Sequence, residues 1–257
     1  MSAKANASPL RQSDIEHGLE RLGLRRGDAV EVHSSLSHFG HVIGGAPTII
    51  AALINSVGSA GALVMSAYPV SSAIALTQTE VARGITWKVR ILAPDSTERT
   101  GMGRVADEFS RRPDIMCGHG IHRVCAWGHE AARHSQGYQH LLEIDGWALL
   151  MGVGIDRCSS MHEAEKVGFP SKIAKIFELP ADIRRDYPAD LWGIGYGSTP
   201  MDPWSTILSE AEAQGLIRRR TIGRAECVLF KARALVNEYA DHLRTDPFAI
   251  FGLVEDR

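Results

Sequence analysis

Long hydrophobic runs are missing from this sequence, and neither sign of charge dominates it. No stretch approaches the roughly 20 apolar residues that a membrane-spanning helix needs. The 257 residues carry 28 Lys and Arg against 30 Asp and Glu. A chain so close to neutral offers no broad basic surface to nucleic acid or to an anionic membrane. We therefore expect neither as a partner.

Cysteine is scarce, and its four copies show no paired spacing. That pattern argues against a disulfide framework and against a structural zinc site. His119 and His122 lie three residues apart, but no carboxylate or third histidine joins them at metal-site spacing. The sequence therefore predicts no metal. The cysteines are Cys117, Cys125, Cys158 and Cys227.

The N-terminus lacks the apolar core of a signal peptide. Residues 1–12 are expected to be a flexible tail of a cytoplasmic protein. Residues 13–257 are long enough to bury a sizeable core, and we expect them to form a single domain.

Helical and extended patterns alternate in the first part of the chain. Ser13 and Glu16 have the spacing of a capping box, which predicts a helix that ends at Gly23. The order of the following elements is typical of a βα unit. They are a strand at 28–33, an apolar helix at 48–57 and a strand at 61–66.

The rest of the chain is less regular. Residues 68–95 predict a long polar excursion able to cover a site, and residues 170–204 predict mostly loop. Helical spacing predicts a long closing helix at 224–244, with Leu229 on its apolar face. Shorter elements are a helix at 101–112, a strand at 122–127 and a helix at 128–134. These patterns predict an α/β fold with a central mixed sheet, flanking helices and a smaller insertion subdomain around 170–204.

The most informative stretch is Trp147–Val167. Its apolar start, 147–151, predicts a strand that is buried on both faces, and Gly152 allows a sharp turn after it. Ser160 and Glu163 have capping-box spacing and predict that a helix begins between them.

His162 then falls in the first turn of that helix, and Glu165 lies on the same face. Open α/β sheets place their chemistry at the carboxyl ends of buried strands, where this imidazole and carboxylate would lie. A solvated surface pair, with the glutamate favoured by the helix dipole, would give the same pattern.

The loop Gly40–Pro47 follows a strand and leads into a helix. Together with the hydroxyls of Ser34–Ser37, it offers backbone N–H and O–H donors to an anion. It has neither the Gly-Lys-Ser/Thr of a Walker loop nor the glycine spacing of a dinucleotide fingerprint. A plain strand-to-helix turn explains it equally well.

Four segments, in the right order, resemble the antibiotic N-acetyltransferase family, whose best-known members are aminoglycoside 3-N-acetyltransferases. The most specific, 149–165, resembles the family signature Leu-Leu-Leu-Gly-Val-Gly…Asn-Thr-Ser-Leu-His-Leu-Ala-Glu, with His162 and Glu165 in the matching places. The other segments are 32–45, 94–113 (loosely) and 223–233. The resemblance covers residues 13 to 245, approximately.

This resemblance implies direct acetyl transfer from acetyl coenzyme A to the 3-amino group of an aminoglycoside. It implies that His162 is the general base and that Glu165 orients its ring. The coenzyme-binding residues that it implies are His33, Ser34, Ser35, Leu36, Ser37, Ser96, Met102 and Gly103. The substrate contacts that it implies are His122, Asp156 and Cys158.

The sequence departs from the family pattern in segments that line the substrate site. Gly120 and Arg123 replace a proline and a serine, and Cys158 stands where the family usually has asparagine. We expect Cys158 to be a small packing residue or a ligand contact, and not a nucleophile. The departures leave open an acceptor other than an aminoglycoside, or a ligand-binding protein of this fold without activity.

Acidic residues between 178 and 202 predict a negative cleft suited to a polyamine. An ordinary solvated loop would have the same composition. The expected partners are acetyl coenzyme A and a small-molecule amine, and a homodimer is left open.

Overall fold

The structure, a computed structural model, describes residues 8–93 and 95–255. The strands are β1 Ala29–Ser34, β2 Ala62–Ser66, β3 Ile85–Arg90, β4 Met116–Cys117, β5 Val124–Gly128, β6 Trp147–Met151, β7 Trp192–Tyr196, β8 Arg218–Ile222 and β9 Ala225–Lys231. The α-helices are α1 Gln12–Leu22, α2 Ala46–Val57, α3 Gln78–Ala82, α4 Arg104–Ser110, α5 Ala131–His134, α6 Gln139–Glu143, α7 Ser171–Phe177, α8 Ala181–Asp186, α9 Pro203–Ala213, α10 Ala232–Thr245 and α11 Pro247–Ile250. Three 3₁₀ helices span Leu36–Phe39, Ile155–Arg157 and Ser159–Val167.

Seven strands form one mixed sheet in the order β4-β5-β2-β1-β6-β9-β8. The three central strands, β2, β1 and β6, are parallel, and antiparallel pairs extend the sheet on both sides. The predicted central mixed sheet with flanking helices is therefore confirmed.

Each face of the sheet carries its own hydrophobic core, because side chains alternate along a strand. Val30 and Val32 point to the face covered by α1 and α2. Ala148 and Leu150 of β6 point to the opposite face, which α9, α10 and the 3₁₀ helix Ser159–Val167 cover. The result is a three-layer sandwich with helices on both sides of the sheet.

The closing segment is not one helix. Residues 225–231 form β9, where Leu229 pairs with Leu149 of β6, and the helix begins only at Ala232. A short continuous apolar run fits a buried strand and a buried helix equally, so its periodicity could not separate them. These residues form a strand because the free edge of β6 offers hydrogen-bond partners to their backbone.

The polar excursion and the expected loop region are both more ordered than predicted. The excursion contains α3 and β3, and residues 170–204 contain α7, α8 and β7. Strands β3 and β7 pair antiparallel as a separate two-stranded sheet. The two segments thus build one small unit that lies outside the main sheet; the domain division itself stays a prediction.

At the N-terminus, residues 1–7 of the predicted tail lie outside the described residues. Leu10 is held by Val42 as a parallel bridge, and α1 begins at Gln12. The cap is formed by Arg11 and Asp14, since the Arg11 N–H donates to the Asp14 carboxylate at 2.8 Å. The expected capping box of Ser13 and Glu16 was therefore wrong by two residues.

Cys117 and Cys125 form a disulfide, against the prediction of unpaired cysteines. They lie directly opposite each other on β4 and β5. Cross-strand neighbours of this kind come together through strand pairing, which a search for repeated cysteine spacings does not detect.

Among the described residues, no helix is long and apolar enough to cross a membrane.

Candidate active site

The carboxyl ends of the parallel strands bring the chemically active segments together. Strand β1 ends at Ser34 and β6 ends at Met151, which are directly paired. The chain leaves β6 through Gly152, whose φ is +70°, and a Cβ there would lie 2.6 Å from the Cβ of His38. Glycine is therefore required where the two loops meet.

The segment predicted to be an α-helix start is a 3₁₀ helix, Ser159–Val167. The capping box of Ser160 and Glu163 does not form. Instead, the Ser160 N–H donates to the buried Glu31 carboxylate at 3.0 Å. A tertiary partner thus replaces the local one, and it fixes the start of this helix on β1.

A 3₁₀ helix has three residues per turn, so residues three apart stack directly. His162 and Glu165 are such a pair, and the His162 Nδ1 lies 2.8 Å from a Glu165 carboxylate oxygen. Because a carboxylate accepts hydrogen bonds, Nδ1 is the donor in this pair, and in the neutral form of the ring Nε2 holds the lone pair. The side chain of His162 is 61% exposed. Its ring meets Trp204 edge-on, with the centroids 4.7 Å apart.

Glu31, His33 and Cys158 form a buried polar cluster beneath this helix. Alternation along β1 turns Glu31 and His33 to the same face of the sheet. His33 Nε2 lies 2.5 Å from a Glu31 carboxylate oxygen, and the thiol of Cys158 lies 3.9 Å from the other. Sequence analysis did not single out Glu31, because its position inside a strand pattern gives no signal of a partner 127 residues away.

Burial and then the charge of Glu31 raise the pKa of the Cys158 thiol well above its usual range. The thiol is therefore protonated and is a poor nucleophile. Cys158 is fully buried and packs against Ser160. These contacts agree with the expected role of Cys158 as a small packing residue, and its alternative role as a substrate contact stays a prediction.

The first of two cavities beside the site has a volume of about 820 Å³ and a polar lining. It receives most of the residues implied for coenzyme binding, which are His33, Ser34, Ser35, Leu36, Ser37, Met102 and Gly103. The loop Gly40–Pro47 is not part of its lining, so only the serine-rich half of the expected anion site lies here. Hydrogen bonds join Ser35 to Ser37 at 3.1 Å and to His38 at 2.6 Å.

Arg104 and Arg157 also line this polar cavity, and sequence analysis missed both. Arg104 directly follows Gly103 at the start of α4, and Arg157 closes a 3₁₀ helix after β6. Guanidinium groups of this kind suit phosphate. A usable signal was their position beside the glycines of the two loops.

The second cavity, of about 470 Å³, is aromatic and lies beside the His162 helix. Glu165 and Trp204 line it, and both touch His162. Helix α9, which carries Trp204, also contacts the 3₁₀ helix that presents Asp156 and Arg157 to the polar cavity. The base candidate thus touches the lining of the aromatic cavity, and its helix is bonded to the polar cavity through Ser159 and His33.

Three predicted residues lie elsewhere. Ser96 is in a turn, where its hydroxyl accepts from the Glu98 N–H at 3.1 Å, and it does not line the polar cavity. His122 is exposed, with its ring 5.2 Å from that of Tyr68. Asp156 lines the polar cavity rather than the aromatic one. The roles given to all three stay predictions.

Within the described residues, two groups have the geometry to hold a metal ion. They are Glu31 with His33 and Cys158, and Glu210 with Glu238 and His242. Sequence analysis found neither, because the members of the first come from distant segments. The expectation of no metal stays a prediction.

Comparison with known proteins defines the class of this enzyme, which is an acyltransferase. The family model described as aminoglycoside 3-N-acetyltransferase matches residues 32–244, and the chain belongs to that family.

Relatives in this family are similar along nearly their full length. The chain is 27% identical to aminoglycoside N(3)-acetyltransferase IX of Micromonospora chalcea, covering 90% of the chain and 92% of the relative. It is 27% identical to aminoglycoside N(3)-acetyltransferase VIII of Streptomyces fradiae, covering 89% and 90%.

Solved structures share the fold. The chain aligns with apo aminoglycoside acetyltransferase AAC(3)-IVa at a TM-score of 0.69 and 21% identity, covering 96% and 92% of the two chains. It aligns with AAC-IIIb in its binary complex with CoASH at 0.67 and 21% identity, covering 97% and 100%. It aligns with AAC-VIa bound to sisomicin at 0.64 and 19% identity, covering 92% and 98%.

Proposed function

We propose that this chain transfers the acetyl group of acetyl coenzyme A directly to an amine, with His162 as the general base. The observation that carries the proposal is the His162–Glu165 pair. Glu165 lines the aromatic cavity, and the helix that carries the pair is bonded through Ser159 to His33 of the polar cavity. By its family, the 3-amino group of an aminoglycoside is the acceptor to test first. We expect the reaction to take place in the cytoplasm.

The polar cavity fits coenzyme A by its size and by its donors. Serine hydroxyls on the loop after β1 can hydrogen-bond the amide groups of the pantetheine arm. Arg104 and Arg157 can bind the phosphates of coenzyme A. Acetyl coenzyme A supplies an acetyl group activated as a thioester. The residues of the chain orient it, and the glycine at position 152 lets the two loops close around it.

His162 Nε2 takes a proton from the attacking amine. Glu165 accepts a hydrogen bond from Nδ1–H, which fixes the ring's tautomer and stabilises the imidazolium that forms. Glu31 and His33 act indirectly, by positioning His162, because Glu31 anchors the start of the helix that carries His162.

No metal enters this proposal. At the buried cluster, a metal would have to displace the hydrogen bond between Glu31 and His33 and deprotonate a thiol whose pKa is raised. Activity should therefore survive dialysis against a chelator. Loss of activity that zinc restores would contradict this point.

The proposal is tested by thiol release from acetyl coenzyme A with sisomicin and simple primary amines as acceptors. We expect acetylated amine in amounts equal to the thiol released. No transfer to any amine, together with no heat of coenzyme A binding by calorimetry, would overturn it.

A further inference from the structure

The aromatic cavity is built from rings that come from several parts of the chain. Phe169, Phe177 and Phe251 form a triangle, with ring centroids 5.8 to 6.4 Å apart. Trp204 and Tyr239 complete the lining. A volume of about 470 Å³ is within the usual range for small-molecule sites.

Part of this apolar lining is open to solvent. Phe177 is 37% exposed and Met201, at the same cavity, is 42% exposed. Tyr239 is buried at the bottom with 1% exposure. An apolar patch of this kind beside a base marks a place where an apolar group of a ligand can replace water.

The charge of the cavity is negative. Glu165 and Asp202 line it, and no lysine or arginine is among its lining residues. Burial, and then the charges of Glu165 and Asp202, raise the pKa of Tyr239, which places both carboxylates near the phenol. A cation that enters this cavity would meet two carboxylates and the faces of aromatic rings.

The neighbouring carboxylates that a polyamine would need are already paired. Arg83 binds Asp182 and Asp186, each at 2.8 Å, and Arg184 lies 3.8 Å from Glu178. Residues 170–204 carry five acidic and four basic side chains. Of the acidic residues expected to form a negative cleft, Asp202 lines the aromatic cavity, whereas Asp182 and Asp186 are paired with Arg83.

We propose that the aromatic cavity binds the body of the acceptor, and that the preferred acceptors are primary amines attached to an aromatic group. This inference rests on the proposed function and names its substrate class. The rings hold the aromatic group, and the carboxylates of Glu165 and Asp202 attract the amine toward His162. A polyhydroxylated polycation buries less apolar surface against these rings than an aromatic group does.

The step balances as an aminolysis of a thioester. The bound ammonium gives one proton to His162 and becomes a nucleophile, the amine nitrogen then forms the C–N bond to the acetyl carbon, and the C–S bond to coenzyme A breaks. The second proton lost by nitrogen goes to the departing sulfur of coenzyme A, and His162 returns to solvent the proton that it took. The products are an N-acetylamine and free coenzyme A.

The test compares 2-phenylethylamine, putrescine and sisomicin as acceptors for the full chain. We expect kcat/KM for 2-phenylethylamine to exceed that for putrescine by about 10- to 100-fold, the effect of burying one ring. Phe177→Ala should remove about 10-fold of this preference. Trp87→Ala is the matched control, because Trp87 is an exposed aromatic residue outside the cavity and should change nothing.

Two further variants separate packing from charge. Phe177→Leu keeps an apolar side chain without the ring, and it should also lower kcat/KM for 2-phenylethylamine. It replaces Phe177→Ala in the test if that variant proves unstable. Asp202→Asn keeps a residue able to cap α9 and should weaken 2-phenylethylamine binding about 2- to 5-fold, without weakening competition by neutral 2-phenylethanol.

The outcomes distinguish the two proposals. Transfer to sisomicin with none to 2-phenylethylamine would overturn the aromatic-acceptor inference and leave the acetyltransferase intact. Equal rates in Phe177→Ala and wild type would overturn it too. Transfer to no amine at all would instead contradict the proposed function itself.

Discussion

The two cavities beside His162 are made in different ways. The polar cavity is lined by short loops at the carboxyl ends of β1 and β6, with α4 beside them, and its donors are close together in sequence. The aromatic cavity takes its rings from the segment after the His162 helix, from α7, α9 and α10, and from the end of α11. The residues of the polar cavity can therefore be recognised as motifs in the sequence, whereas those of the aromatic cavity cannot.

Under the proposed function, this difference separates the site of the acetyl donor from the site of the acceptor. Loops fixed by the central sheet suit a ligand that is the same in every turnover. Rings carried by peripheral helices can change without disturbing the sheet, so the acceptor can differ while the acetyl donor stays the same. His162 belongs to both halves, because its helix is anchored on β1 and its ring touches Trp204.

The largest effect should come from His162, the proposed general base. His162→Ala removes the proton acceptor, and kcat should fall by about 10² to 10⁴-fold. The measurement is thiol release under saturating acetyl coenzyme A.

Glu165→Gln serves as the graded comparison for His162→Ala. The amide keeps an oxygen that can accept from Nδ1–H but loses the negative charge, so the loss should be smaller. Coenzyme A binding by calorimetry should stay the same in both variants. A folded His162→Ala enzyme with turnover within a few-fold of wild type would exclude the base role.

A smaller effect, confined to the KM for acetyl coenzyme A, should follow from changes in the polar cavity. In the double variant Arg104→Gln and Arg157→Gln, the KM for acetyl coenzyme A should rise about 10-fold, because charge-assisted bonds to phosphate are lost. The KM for the amine should not change. Arg185→Gln is the control, since Arg185 is exposed, pairs with Asp186 and lies outside this cavity. An unchanged KM in the double variant would place the phosphates elsewhere.

The smallest effect should be a loss of local stability in acid, confined to the two-stranded sheet of β3 and β7. Lys88, and then backbone and side-chain donors, lower the pKa of Glu80 to about 2. Its folded-state pKa lies below the ordinary 4.5, so its stabilising contribution is complete above about 4.5 and is lost as pH falls toward about 2.

Hydrogen exchange should detect this loss as faster exchange of β3 and β7 amides in acid, before the main sheet responds. Glu80→Gln should produce the same local change at neutral pH, because Tyr187 and Lys88 lose their charged partner. Equal loosening of β1 and β6 in this variant would show that the two regions do not respond separately.

Local patterns predicted the parts of this protein that depend on nearby residues. The strands β1, β2 and β6 and the helices α2 and α4 followed from periodicity and glycine placement. The His162–Glu165 pair followed from a spacing of three, which brings two side chains together in either helix type. Coenzyme-loop residues followed from the family resemblance, and the structure gathers most of them at one cavity.

Tertiary structure alone decided what depends on distant partners. Residues 225–231 became a strand because β6 offered an edge, and Cys117 met Cys125 because β4 pairs with β5. Glu31 became a buried anchor because the backbone of Ser160 lies above it. The aromatic cavity exists because five separated rings converge, and no local spacing encodes that convergence. The sequence by itself thus determined the His162–Glu165 pair and the loops that line the polar cavity, while chain packing determined the shape and charge of the aromatic cavity.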